Sequence, residues 1–324
     1  MSGAMAIEIG LNAAIIAMTG NDPAILRVPG QDAKFADALP SGPFDPSRHR
    51  TMEIGLRGWV EEQTALRLGH VEQLYTFADR GRHRTGGDAG PHIVSVGYLA
   101  LTRVAADELG AVSLAGASFR NWYDFLPWED WRNGQPPILD EAILPAVVDW
   151  ARRAEKPASG RGIAPQMRVR IAFGLEGSGW DEELALDRYE LMYSAGLVDE
   201  SARDGRFANR QIAVPTGRPM DHDHRRILAT AMQRLRAKMK YRPVVFELLA
   251  EHFTLTELQQ TVESISGRPA HKQNFRRLVE SAQLVEPTGG TTTATGGRPA
   301  KLFRFRREVL AERMVAGLRL GRRG

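Results

Sequence analysis

The stretch that most constrains the fold is Thr254-Leu255-Thr256-Glu257, closed further on by Gly267. A Thr followed three residues later by Glu lets two side chains satisfy the free amides of a helix's first turn. A Gly at the far end supplies the left-handed residue with which many helices stop. A helix over 254–267 with both ends fixed sets the reading of its neighbours. Pro243 suits the first position of a short helix, Val244 to Ala250, and His271 to Gln283 reads as a further helix. Upstream, Asp221 or Asp223 is placed to cap a helix in which Leu228, Ala231, Met232, Leu235 and Met239 form one apolar stripe. Downstream, Leu284 to Phe305 reads as strand, Gly/Thr-rich turn (GGTTTATGG) and strand.

Helix, helix, helix and β-hairpin is the order of a winged helix-turn-helix, whose third helix enters the major groove. That helix displays Lys272, Gln273, Asn274, Arg276 and Arg277, with Phe275, Leu278 and Val279 inward. Gln and Asn suit adenine edges; Arg and Lys suit guanine or phosphate. The hairpin adds Arg298, Lys301 and Arg304, among Leu302, Phe303 and Phe305. Charge follows the same division. Residues 221–324 hold 20 of the 43 Lys+Arg and 10 of the 39 Asp+Glu, leaving 23 against 29 in front. A basic back half behind an acidic front points to a polyanion partner for the back half alone, and double-stranded DNA is expected.

The front half alternates strands and helices. Residues 5–19 form an apolar, β-branched run, Gly20 to Pro23 a turn, and Ala24 to Val28 a second strand. A Pro/Gly-rich loop leads into an amphipathic helix, Arg48 to Leu66, which carries Met52, Leu56, Trp59 and Val60 on one face and Glu61-Glu62 near its end. Glu72 to Phe77 and His92 to Leu101 read as strands around a basic glycine-rich hairpin loop, Arg80 to Pro91; a helix follows from Leu139 to about Glu155. An α/β layered domain over 5–156 is expected. Lys156 to Pro165 has linker composition. Within an intervening segment, 157–220, Met167 to Phe173 alternates as a strand and Asp181 to Ala195 reads as a helix. The third domain is then 221–324.

Composition removes several function classes. With no cysteine there are no disulfides, thiolate zinc sites or cysteine nucleophiles. No apolar run is long enough to span a membrane and no secretory leader opens the chain, so a cytoplasmic protein is expected. Asp221-His222-Asp223-His224 contains metal-ligating types, but with no second matching cluster it reads as a helix cap. Arg80, Arg82, His83 and Arg84 could meet a phosphate. The aromatic run Trp122 to Trp128 could stack an adenine, although such density more often marks a core.

The order strand, strand, loop and helix ending in paired glutamates resembles the Nudix fold, whose signature is G-x5-E-x7-R-E-U-x-E-E-x-G-U. Anchored on Glu61-Glu62, Arg57 matches the Arg and Trp59 stands at the first aliphatic position. Pro43, His49, Gly58 and Thr64 replace the signature's Gly, Glu, Glu and Gly, so the box is broken. The runs EQLYTF (72–77), VSVGYLAL (94–101), YRPVVFELL (241–249), FTLTELQ (253–259), NFRRLVES (274–281), LVEPTG (284–289) and GRPAKLFRF (297–305) resemble the Nudix-related regulators of NAD metabolism, the NrtR and NadQ group, on its alphaproteobacterial NadQ side. That resemblance implies an α+β chain, a Nudix-like α/β/α sandwich followed by the winged helix-turn-helix. It implies a homodimeric repressor of NAD biosynthesis or salvage genes, reading a palindromic operator. An adenine nucleotide (NAD, ADP-ribose or ATP) would be the effector, with no cofactor or resident metal required. Effector contacts would fall to Arg57, Glu62, Tyr75, Phe77, Arg80, Arg82 and Tyr98. Metal-assisted hydrolysis needs several carboxylates around the cation, and the substitutions at 49 and 58 remove two. A sensor without catalytic residues is therefore expected, and a pyrophosphohydrolase acting on ADP-ribose through Glu61 and Glu62 is the alternative.

Overall fold

The computed structural model describes residues 6–32, 35–79, 82, 91–154, 162–204, 214–293 and 299–306. Strands β1 (Ile7–Thr19) and β2 (Asp22–Asp32) pair antiparallel around the turn at Gly20, whose φ of 61° suits a glycine. β3 (Phe35–Ala38) adds to β2, and β4 (Ser41–Pro43) to β1. Helix α1 (Met52–Thr64) is capped by the Thr51 hydroxyl, which accepts the Ile54 amide. β5 (Val71–Phe77) and β6 (His92–Leu101) pair antiparallel, and most of the basic loop between them lies outside the described residues. β6 runs parallel to β1, and the sheet order is β3-β2-β1-β6-β5. Helix α2 (Ala106–Leu114) and β7 (Ser118–Asn121), which pairs with β2, complete this part.

Alternation along β1 sorts two cores. Leu11, Ala13 and Ile15 pack with Leu56 and Val60 of α1 and Val112 of α2. Ala14 and Ile16 face the opposite layer, which a period of two demands. That second layer holds α3 (Leu144–Arg153), α4 (Pro165–Ala172), α5 (Ala185–Ser194) and α6 (His224–Met239). Its core includes Trp122, Phe125 and Trp128, each completely buried. The aromatic run is therefore framework and presents no ring face to an adenine.

Two expectations are corrected here. Met167 to Phe173 is not a strand: Pro165 opens α4, and its Val169 and Ala172 pack inward at helical spacing. Of the two aspartates expected to cap α6, Asp223 occupies the N-cap position and makes no side-chain cap bond. Asp223 instead faces the Arg226 guanidinium at 3.1 Å.

The C-terminal module follows its expected order. Val244 to Glu247 forms a single 3-10 turn. Helix α7 (Leu255–Ser266) has the full capping box: Glu257 N donates to Thr254 Oγ1 at 3.1 Å, and Thr254 N to Glu257 Oε2 at 2.6 Å. Gly267 ends it at φ 72°. Helix α8 (Lys272–Ala282) follows, then β8 (Val285–Thr292) and β9 (Ala300–Phe305), paired antiparallel as the wing. Phe253 exchanges two backbone hydrogen bonds with Phe303, seating the wing beside the start of α7.

Candidate nucleic-acid interface and sensor site

Helix α8 buries Phe275 and Val279 and leaves Lys272, Gln273, Asn274, Arg276 and Arg277 exposed together on its other side. Asn274 Oδ1 accepts a hydrogen bond from Arg277 at 3.3 Å, on a face open to solvent. On the wing, Lys301 and Arg304 are exposed, whereas Arg298 lies outside the described residues. Arg304 is held directly across the hairpin by Glu286, at 2.7 Å. That contact engages Arg304 Nε, whereas among the described residues Lys301 has no carboxylate partner.

In the front domain Gln63, Trp59 and His49 act as fasteners between α1 and the preceding loop. Gln63 exchanges two hydrogen bonds with the Ser41 backbone, at 2.7 and 3.1 Å. Trp59 donates to Pro43 O at 2.9 Å and lies so close over Gly42 that a Cβ there would sit 2.3 Å from the ring. His49 accepts the Asp45 amide at 3.2 Å. The carboxylates of α1 are directed elsewhere: Glu53 pairs with Arg57 at 2.8 Å, Glu61 with Arg67 at 2.7 Å, and Glu62 is exposed. Arg57 also donates to the carbonyls of Leu68 and Gly69, so its fork is committed to the scaffold.

Of the seven residues expected at the effector, the six that are described do not converge. Arg57 and Glu62 lie on α1, and Tyr98 is buried in the layer beneath that helix. Burial, then the nearby Glu53 charge, raises the Tyr98 pKa. Phe77 belongs to the opposite layer, where Arg226 of α6 sits 4.6 Å from its ring centroid. Tyr75 is exposed beside Phe77, with ring centroids 5.1 Å apart. Arg82 is on this side too, pairing with Glu190 at 2.6 Å and with Asp223 at 3.6 Å, its guanidinium carbon 3.7 Å from the Tyr193 ring centroid. Arg80 lies outside the described residues, as do His83 and Arg84.

The group around Asp223 was not foreseen as a unit. Asp79, Glu190 and Asp223 share the guanidiniums of Arg82 and Arg226. Asp223 itself is buried, burial outweighs the attraction of the two guanidiniums, and its carboxyl is pushed up to about 7. A raised folded value makes the proton bind more tightly in the native state. The stabilisation is then complete below the ordinary aspartate pKa and is lost as pH rises through about 7. Asp223→Asn should flatten the fall in melting temperature between about pH 4 and pH 7; a fall of unchanged slope in the variant would contradict this.

The neighbouring histidine is used as framework. His224 Nδ1 accepts the Leu39 amide at 3.0 Å, which directs Nε2–H to Asn12 Oδ1 at 2.9 Å. Among the described residues one group of three carboxylates is close enough to share a cation: Asp181, Glu182 and Glu183. Asp181 caps the turn that follows it, and Lys240 pairs with both glutamates.

Residues 245–305 match the model of the NrtR DNA-binding winged helix domain. That match lies wholly within the C-terminal module. A curated relative, the ADPR responsive transcriptional repressor NtrR of Acinetobacter baylyi, is 41% identical over 83 residues. That match spans 26% of this chain and a third of the repressor's length. The NrtR likeness extends through the whole fold. The crystal structure of Shewanella oneidensis NrtR complexed with a 27mer DNA superposes with a TM-score of 0.55 at 20% identity, covering 97% of this chain and 99% of that one. A MutT/nudix family protein from Enterococcus faecalis gives 0.51 at 15% identity, with 94% and 89% covered. A Nudix-like domain followed by an NrtR winged helix is thus the architecture of the chain. No helix among the described residues is long and apolar enough to cross a membrane.

Proposed function

We propose that this chain is a DNA-binding transcriptional repressor whose Nudix-like domain senses ADP-ribose and does not hydrolyse it. The observation that carries this reading is α8: three cations and two amides exposed side by side on the third helix of an NrtR winged helix. ADP-ribose is favoured over NAD and ATP because the repressor sharing 41% identity in the matched segment is described as ADPR responsive. Loss of hydrolysis is supported by His49 and Gly58, which stand where the box has glutamates, and by Glu53 and Glu61, which are paired with Arg57 and Arg67. The repressor would act as a homodimer on a palindromic operator before genes of NAD biosynthesis or salvage, in the cytoplasm, its two α8 helices about one DNA turn apart. Effector release requires ADP-ribose to prefer one arrangement of the two reading modules, since equal affinity for both shifts nothing.

A mobility-shift assay on the DNA upstream of the chain's own gene and of NAD-metabolic genes tests this. Binding should occur without ligand and weaken with ADP-ribose, with NAD and ATP less effective. No protected duplex would sink the repressor reading. Turnover of ADP-ribose with magnesium or manganese near a median enzyme's ~10 per second would replace the sensor by a hydrolase.

A further inference from the structure

Helix α7 ends where the Nudix-like domain begins to hold it. The last carbonyls of a helix have no partner within it, and here residues outside the winged helix supply the donors. Tyr123 OH donates to Ser264 O at 2.6 Å, Arg236 Nε to Ile265 O at 2.9 Å, and the Trp131 amide to Gly267 O at 2.7 Å. Contact is so close that a Cβ on Gly267 would stand 2.3 Å from Glu129 O.

Arg236 comes from α6 and uses all five of its donors. Besides Ile265 O they reach Glu129 Oε2 at 2.5 Å, Glu129 O at 3.2 Å, Glu182 O at 3.1 Å and Tyr123 OH at 3.4 Å. Glu129 is shared with Arg188 of α5, which binds both its oxygens at 2.6 and 2.8 Å. Arg188 in turn donates to Ala172 O, the last residue of α4. Glu129, Arg188 and Arg236 are no more than 1% exposed. One carboxylate therefore holds two guanidiniums, each set against the negative end of a helix, which offsets the excess positive charge of the triad.

We infer that Glu129, Arg188 and Arg236 are positioning residues for DNA binding, fixing the recognition helix α8 relative to the Nudix-like domain through the C-terminal end of α7. Only Arg268 to His271 separate Gly267 from α8, so whatever orients that end orients the reading helix. Helix α6 also joins the triad to the sensor. Its Ile227 approaches Gly97 of β6, its Arg226 covers Phe77 of β5, and its Lys238 pairs with Glu72 at the other end of β5. A shift of β5 and β6 against α6 would reach α7 through Arg236. The consequence for DNA rests on the repressor reading; the positioning itself does not.

The absence of cysteine permits a direct test. Spin labels on Glu141→Cys and Ser281→Cys, both exposed, report the distance between the domains in the full chain, diluted with unlabelled chain. The wild-type background should give one narrow distribution. The combined variant Glu129→Leu, Arg188→Met, Arg236→Met strands no buried charge, should melt cooperatively, and should widen that distribution at least twofold. It should also bind the operator at least tenfold more weakly although α8 is intact, and its label distance should no longer respond to ADP-ribose. An unchanged width in the folded variant overturns the inference. If the combined variant does not fold, Arg236→Lys decides, because an ammonium cannot serve Glu129 and Ile265 O as a fork does; a widened distribution supports the inference and an unchanged one overturns it. A wild-type chain that binds no DNA would defeat the proposed function and leave the label distances to judge the triad.

Discussion

Arg276→Ala lowers operator affinity by about 10- to 100-fold, the range expected for one base-reading arginine, and leaves the melting temperature unchanged. The expectation follows from where the side chain stands. Arg276 is exposed on α8 between the buried Phe275 and the half-buried Leu278, so its removal opens no cavity. Shift assays at several salt concentrations separate two roles for it. A phosphate contact would reduce the slope of log affinity against log salt by about one and act alike on every sequence. A guanine contact would leave more of the slope and relax preference at one position of the site. Unchanged affinity across the whole titration would show that α8 is not the reading helix. Arg304→Ala should cost less, because Arg304 is already engaged by Glu286, whereas among the described residues Arg276 has no carboxylate partner.

Helix α8 is written in local chemistry, whereas the sensor and the buried ion pairs are not. The capping box and Gly267 fix α7 from local chemistry alone, and the spacing of Phe275 and Val279 then sets which side of α8 faces inward. Every base-reading candidate on α8 is consequently exposed, as the spacing required. Met167 to Phe173 alternates apolar and charged residues over one short stretch, which suits a strand equally well; Pro165 was the signal for a helix start. The sensor was harder because its expected residues lie on two faces of one sheet. Tyr98 and Phe77 are divided by the pleat and by a register shift between Gln73 and Thr76, which sequence does not disclose. Least legible were the buried ion pairs. Arginine and glutamate are normally surface residues, and nothing adjacent in the chain marks Glu129, Arg188, Glu200, Arg225 or Arg236 as interior.

Glu129→Ala should therefore be the most destabilising single change at the domain junction. Removing one member of a buried ion pair costs about 3–5 kcal/mol, because the partner stays behind uncompensated, and here two guanidiniums would be left. In a chain of this size such a loss lowers the melting temperature by on the order of 10 °C, readable by thermal or urea unfolding. Replacing all three members by apolar residues should cost far less, since no charge is stranded. The size of that difference distinguishes a triad that stabilises from one that mainly orients. The pH dependence supplies a second handle. Burial alone would raise the Glu129 carboxyl, but the Arg188 and Arg236 guanidiniums outweigh it and hold the group below the ordinary glutamate range. A depressed folded value means the contribution is whole above that ordinary range and disappears as pH falls through the lower folded value. The wild type should accordingly lose stability on acidification below about pH 4, and the apolar variant should lose less of it there. Equal acid sensitivity in the two would place the loss in other carboxylates, and a Glu129→Ala chain as stable as wild type would mean that the arginines find partners of equal strength without it.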